Sequence, residues 1–162
     1  MVGMDKVSEN RPLLLLDIDG VLVPYPNAGG FDFAVEEILD DVFVRSDLSG
    51  WLRELGEVFK LVWASTWEEE ANGAFGPKLG LSKMECVHFG AATGWFLNKT
   101  WKLADVEAFV GARRVAWVDD ELGDDSFYWA ERVGAKLVHT RASVGMTRED
   151  VDDLLDWAKA LD

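Results

Sequence analysis

Apolar residues in this chain fall into two patterns that alternate along its length. Unbroken or nearly unbroken apolar runs occur at Leu13–Ile18, Phe59–Ala64 and Val115–Val118, with a shorter one at Lys136–His139. Runs without a period of two suit parallel strands buried on both faces. Between them the apolar positions recur at helical spacing. Ser46 is placed to cap a helix that turns Leu48, Trp51, Leu52 and Leu55 to one face. Trp101 to Val110 and Asp124 to Val133 read as two more helices, the second closed by Gly134 as a left-handed C-cap. Thr147-Arg148-Glu149-Asp150 has the form of a capping box, with Asp in place of the usual Glu. It opens a last helix with Val151, Leu154, Leu155, Ala158 and Leu161 on its apolar face. Alternating strands and helices predict an α/β fold, a Rossmann-like parallel sheet with helices on both faces.

One segment breaks the alternation. Pro24-Tyr25-Pro26-Asn27-Ala28-Gly29-Gly30 is rich in turn-forming residues, so Pro24 to Arg45 is expected as a loop or hairpin over the end of the first strand. Neither this segment nor the stretch from Ser65 to Lys102, less its own strand and helix, reaches the roughly 50 residues of an independent domain. No sizeable cap domain is expected, and the site should be open. Met1 to Arg11 reads as a polar tail and residues 12–162 as a single domain.

Composition narrows the function. Of 162 residues 49% are apolar and eight are tryptophan, enough for a full core and against disorder. Thirty acidic against sixteen basic residues give a net charge of −14, which disfavours a non-specific binder of nucleic acid or anionic membrane. A substrate phosphate is still compatible, because a divalent cation can invert the field inside one cleft. The single cysteine, Cys86, cannot form an intrachain disulfide and reads as a small buried hydrophobe. The start lacks the apolar core of a signal peptide, and no apolar stretch approaches the roughly 20 residues of a membrane span. A soluble, cytoplasmic protein is expected, with no membrane partner and an oligomeric state left open.

The chemistry-bearing residues stand at the ends of the apolar runs. Asp17-Ile18-Asp19-Gly20 follows the first. On extended backbone, residues two apart project to one side, so Asp17 and Asp19 share a small volume. Two bare carboxylates that close repel unless a cation neutralises them. Ser65-Thr66 ends the second run, Lys102 sits where a helix starts, and Asp119-Asp120 ends the third run. Each type has a task in phosphoryl transfer. A carboxylate can be the nucleophile, a second can be the general acid and base, a hydroxyl can bind phosphate oxygen, a lysine neutralises nucleophile and phosphate, and the remaining acids hold Mg²⁺.

The order Asp-x-Asp, Ser, Lys, Asp-Asp resembles the haloacid dehalogenase (HAD) superfamily of phosphotransferases, over Leu13 to Trp157. The resemblance implies that Asp17 attacks phosphorus and becomes an aspartyl-phosphate. It implies that Asp19 protonates the leaving oxygen and then activates water. It places Mg²⁺ on Asp17, the Asp19 main-chain carbonyl and Asp119, with Asp120 close by, and phosphate on Ser65, Thr66, Lys102 and Gly20. Trp63-Ala64-Ser65-Thr66-Trp67, Trp117-Val118-Asp119-Asp120-Glu121 and Trp129-Ala130 are similar to a narrower group, the HAD domain of Swiss-Army-knife RNA repair proteins. That group has Thr where this chain has Ser65. Its name implies a phosphatase acting on polynucleotide ends.

Other readings stand beside these. Ser65 and Thr66 compete as phosphate binder, Lys99, Lys78 and Lys83 compete with Lys102, and Asp124 competes with Asp120 as the further metal-site acid. Glu68, Glu69 and Glu70 read as a solvated helix face, and His88 and His139 as structural residues. Tyr25, Phe31 and Phe33 offer faces for base stacking, against packing of the loop on itself. Arg45, Arg113 and Arg141 are the expected basic contacts for an oligonucleotide end. A small-molecule phosphatase and a non-catalytic HAD-like binding domain are the alternatives to a polynucleotide-end phosphatase. A receiver domain, which also arranges acids, a hydroxyl and a lysine around Mg²⁺, has its phosphorylated Asp after the acidic pair, the reverse of the order here.

Overall fold

The computed structural model describes residues 10–90 and 99–161. Four parallel strands form the central sheet: β1 (Leu13–Leu16), β4 (Lys60–Trp63), β5 (Val115–Asp119) and β6 (Lys136–His139), in the order β4-β1-β5-β6. All four fall on the apolar runs: β1 and β4 are shorter by two residues, β5 extends one residue further to Asp119, and β6 keeps the expected bounds. The first strand is central because it is apolar on both faces. Leu14 and Leu16 pack on one side with Trp63, Ala116 and Val118, and Leu13 and Leu15 on the other with Val62, Val115 and Trp117. Each of these leucines is at most 2% exposed, a burial that stabilises the fold by about 2 kcal/mol per side chain.

Helices cover both faces. Helix α1 (Leu48–Val58), the short α2 (Glu70–Ala74) and α3 (Gly76–Leu79), and α6 (Arg148–Lys159) lie over the Leu14 side. Helices α4 (Leu103–Val110) and α5 (Asp124–Val133) lie over the Leu15 side. The boundaries follow local chemistry. Gly134 closes α5 at φ 75°, and Thr147 and Asp150 exchange both bonds of a capping box at the start of α6. Two expectations need correction. The residue at the start of α1 is Asp47, not Ser46, whose N–H is bonded to Ala34 O. Helix α4 begins at Leu103, because Trp101 and Lys102 lie in a turn closed by the Leu103 N–H on Thr100 O.

Pro24 to Arg45 forms an antiparallel hairpin, β2 (Val35–Leu39) and β3 (Val42–Arg45), reversed at Asp41 with φ 59°. Ile38 and Val44 anchor it in the core of the α1 and α6 face, and the Arg45 guanidinium donates to Val144 O. Phe31, Phe33 and Phe43 pack on one another, so the loop's phenylalanines fold onto the hairpin itself. Most of the expected polar tail lies outside the described residues. Arg11, at its end, already belongs to the fold through a 2.7 Å bond to Gly56 O. Among the described residues no helix is long and apolar enough to cross a membrane.

Candidate active site

Register brings the chemistry-bearing residues level. Leu16 pairs with Trp63 on one side and with Val118 on the other, so Asp17, Ala64 and Asp119 end three adjacent strands at the same height. Open α/β sheets hold their ligands at this carboxyl edge. Lys102 reaches into it from the turn before α4. Its Nζ lies 2.8 Å from Asp119 Oδ2, 2.9 Å from Ala64 O and 3.3 Å from Asp17 Oδ2, and the side chain is almost fully buried. Lys99 is exposed, as are Lys78 and Lys83. Of the four lysines weighed, only Lys102 reaches the carboxylates at this edge.

Charge is unbalanced in this pocket. Burial alone would lower the Lys102 pKa, but attraction to Asp119 and Asp17 outweighs it and the net shift is upward. The lysine stays charged and is shared by two buried carboxylates. Asp17 is left with the deficit. Burial and the Asp119 charge push its pKa up to about 8, against the pull of Lys102 and of the Ile18 N–H that donates to Oδ1 at 2.8 Å. Asp120, half-buried beside them, is also raised, first by burial and then by Asp119. Asp17, Asp119 and Asp120 each offer an oxygen, all within 4.8 Å of one another. Asp124 instead starts α5, and Asp125 accepts from the Thr100 N–H and hydroxyl.

Asp19 projects into the same cleft, where its Oδ2 accepts from the Trp67 indole N–H at 3.1 Å. The cleft holds about 220 Å³ and is lined by Asp17, Asp19, Tyr25, Thr66, Trp101, Lys102, Asp120 and Glu121. From the Pro24–Arg45 segment only Tyr25 contributes, so the hairpin adds one aromatic to the mouth and no enclosing lid. Thr66 lines the cleft and Ser65 does not. Ser65 is fully buried, and its Oγ accepts from the Trp67 N–H at 3.2 Å.

Gly20, expected among the phosphate-binding groups, has another task. Its N–H is committed to Val23 O and its carbonyl accepts from the Thr140 hydroxyl. It adopts φ 80°, and a Cβ there would run into the Asp120 carboxylate. Glycine lets Asp120 close onto the loop of the first motif. Of the three arginines, Arg45 stacks on Phe33, its guanidinium carbon 3.6 Å from the ring centroid. Arg113 is spent on the carbonyls of Phe109 and Val110 at the amino edge of the sheet, the pole away from the cleft. Arg141, just past β6, is exposed on the cleft side.

Three supporting contacts were hidden in the sequence. Trp67 holds Asp19. Thr100 joins Asp125 to the Gly123 N–H and so fixes the turn that carries Lys102. Thr140 braces the Gly20 loop. The one available signal was Asp125 in the first turn of a helix, which marks a local acceptor and not its distant donor.

Solved structures that share this architecture over most of the chain include three at low identity. One, from Vibrio cholerae, is provisionally described as a 3-deoxy-D-manno-octulosonate 8-phosphate phosphatase; it is 16% identical, with a TM-score of 0.46, over 97% of this chain and 90% of its own. A hypothetical protein from Xanthomonas campestris is 19% identical, with a TM-score of 0.46, over 96% and 86%. An uncharacterized protein from Listeria monocytogenes serotype 4b is 17% identical, with a TM-score of 0.49, over 93% and 96%. No curated protein matches the sequence. The family model described as the HAD domain in Swiss Army Knife RNA repair proteins matches residues 13–151. With most of its length in that match, the chain belongs to the HAD superfamily of phosphatases, in the family of HAD domains of Swiss Army Knife RNA repair proteins.

Proposed function

We propose that this protein hydrolyses phosphomonoesters by covalent catalysis on Asp17. The observation that carries the reading is the buried triangle in which Lys102, from the turn before α4, meets Asp17 and Asp119 at the ends of adjacent strands, open to the cleft beside Asp19. An Asp17 carboxylate oxygen attacks phosphorus as the bond to the leaving oxygen breaks, and Asp19 delivers the proton that the leaving group needs. Asp19 then takes a proton from water as that water attacks the aspartyl-phosphate, releasing phosphate and regenerating Asp17. Lys102 keeps the nucleophile aligned and offsets the charge of the incoming phosphate.

A hard divalent cation fits the donors. Three oxygen-bearing carboxylates crowd together around a single ammonium, with no sulfur or imidazole among them. Asp17, Asp119 and Asp120 would hold Mg²⁺, together with the Asp19 main-chain carbonyl that the resemblance implies. When bound, the ion supplies positive charge for the phosphoryl oxygens.

The family's name and the open cleft support a phosphorylated polynucleotide end as substrate, with Tyr25 and Trp101 at the mouth as faces for a terminal base. A small-molecule phosphomonoester is the second reading, favoured by the acids that line the cleft and by the charge of −14. The test is release of phosphate from a generic phosphomonoester. Turnover should need Mg²⁺ and fall at least a thousandfold in Asp17→Asn and at least a hundredfold in Asp19→Ala. Undiminished turnover by Asp17→Asn, or in excess chelator, rejects the mechanism. Absence of turnover on every phosphomonoester would leave a binding domain.

A further inference from the structure

The sole cysteine of the chain and one of its two histidines stand two residues apart, at Cys86 and His88. Their segment is fastened along the free edge of β4. The Trp63 N–H donates to Glu85 O and the Val87 N–H to Trp63 O, both within 2.9 Å. Extended backbone sends alternate residues to the same side. Val87 accordingly points into the core on the Leu15 side, while Cys86 and His88 share the opposite side, where Cys86 is buried at the Leu14-side core and His88 is exposed. There they meet Glu69, carried by the turn that precedes α2. Cys86 Sγ lies 3.8 Å from His88 Nε2, and His88 Nε2 lies 4.0 Å from Glu69 Oε1. The three ligand atoms fall within 4.8 Å of one another.

We infer that Cys86, His88 and Glu69 form a second metal site, separate from the acids of the cleft, and that its occupant is Zn²⁺. Ligand chemistry selects the ion. Thiolate and imidazole suit zinc and leave Mg²⁺ without the oxygens it prefers. Distances agree with the coordination. Zinc bonds of about 2.3 Å to sulfur and about 2.0 Å to nitrogen or oxygen set tetrahedral edges of roughly 3.3–3.6 Å. The Cys86–His88 separation exceeds its edge by about 0.2 Å and the His88–Glu69 separation by about 0.7 Å, so a small turn of the exposed Glu69 and His88 side chains closes the site around the ion. Glu68 completes the surroundings, its carboxylate 3.9 Å from His88 Nδ1, on the side where zinc-bound imidazoles find a carboxylate partner. It is held there by the Phe89 N–H at 2.8 Å. His88 and Glu69 are exposed, which leaves a fourth position for water. The ion ties the Cys86 segment to the turn that also carries Trp67, and so stiffens one support of the cleft.

Cobalt is the probe, because its thiolate complexes absorb by charge transfer and its visible bands report tetrahedral geometry. Metal-free full-length protein is titrated with Co²⁺ in excess Mg²⁺, which keeps the hard acids of the cleft occupied. One equivalent should give the charge-transfer band, and Zn²⁺ should displace it. His88→Ala and Glu69→Gln, both at exposed positions, should weaken binding at least tenfold, and Cys86→Ser should abolish the band. Asp17→Asn should bind as the parent does, and Zn²⁺ should raise Tm in the parent and in Asp17→Asn but not in His88→Ala. Absence of the band, unchanged affinity in His88→Ala, or loss of binding in Asp17→Asn overturns the assignment. These readouts use no turnover, so they stand or fall apart from the phosphatase reading.

Discussion

Asp17 is buried beside Asp119 with Lys102 as their common counter-charge, and this crowding has a measurable cost in metal-free protein. Its pKa rises from an ordinary 3.8 to about 8 in the folded state. Between those values the native chain keeps a proton that the unfolded chain has released, so stability falls as pH rises from about 4 to about 8. Asp17→Asn removes that slope. In excess chelator, the Tm of Asp17→Asn should overtake that of the parent progressively between pH 5 and 8, by about 2–4 °C for each kcal/mol relieved. A Tm difference that does not change with pH would show that Asp17 is not the strained group. Trp67 acts on the neighbouring acid. Its indole N–H fixes Asp19 while its ring meets the edge of Phe75 at a centroid distance of 5.0 Å. Trp67→Phe keeps the ring and loses the donor to a carboxylate, worth about 1.5–3 kcal/mol. The expected result is a fall in kcat of roughly tenfold or more with KM little changed. A changed KM at constant kcat would make Trp67 a substrate contact instead.

Elements of this fold were legible where burial leaves one solution. A run such as Leu13–Leu16, apolar at every position, has no exposed face to offer and must be an inner strand. The Thr147 capping box was equally legible, because all its parts lie within one turn. Thr147→Ala should destabilise the protein by about 1 kcal/mol and leave kcat/KM unchanged, as checked by urea unfolding and by turnover on the same preparation. Loss of activity without loss of stability would mean that α6 communicates with the cleft. What the sequence could not display are contacts between distant elements. Trp67 and Asp19 are 48 positions apart, Thr100 and Asp125 are 25 apart, and Thr140 and Gly20 are 120 apart. The same reason hid the surroundings of Cys86, since Glu69 reaches it only through the turn before α2. Lys102 could be picked out by motif order, yet its preference over Lys99 became a physical statement only when its burial between Asp17 and Asp119 was seen. Ser46 misled because α1 starts one residue later, with Asp47 O taking the first helical bond from the Trp51 N–H.

Across the whole molecule, a charge of −14 meets a cleft whose lining has four acids and one lysine. A polyanion is repelled at long range, and Arg141 is the one arginine of the three weighed that remains exposed on the cleft side. If polynucleotide ends are the substrate, few phosphates beyond the terminal one are engaged. The kcat/KM for a 5′- or 3′-phosphorylated oligonucleotide should then at least equal that for the matching mononucleotide. Its logarithm should fall with log salt at a shallow slope, about −0.7 for each phosphate contacted. A clear preference for the mononucleotide at low and high salt selects the small-molecule reading. The triangle of Asp17, Lys102 and Asp119 has one more consequence, for the order in which the chain folds. Its corners come from three crossover-linked pieces of chain, and Lys102 also bonds to Ala64, 38 positions before it. Pairings of that span form slowly, since loop-closure entropy is lost before any contact repays it. A chain stalled with β5 undocked can hold β1 beside β4 with Asp17 in place, yet Lys102 has no carboxylate of Asp119 to meet. If Asp17 is the nucleophile, turnover during refolding should appear only with the completed sheet and lag behind the first burial of the tryptophans.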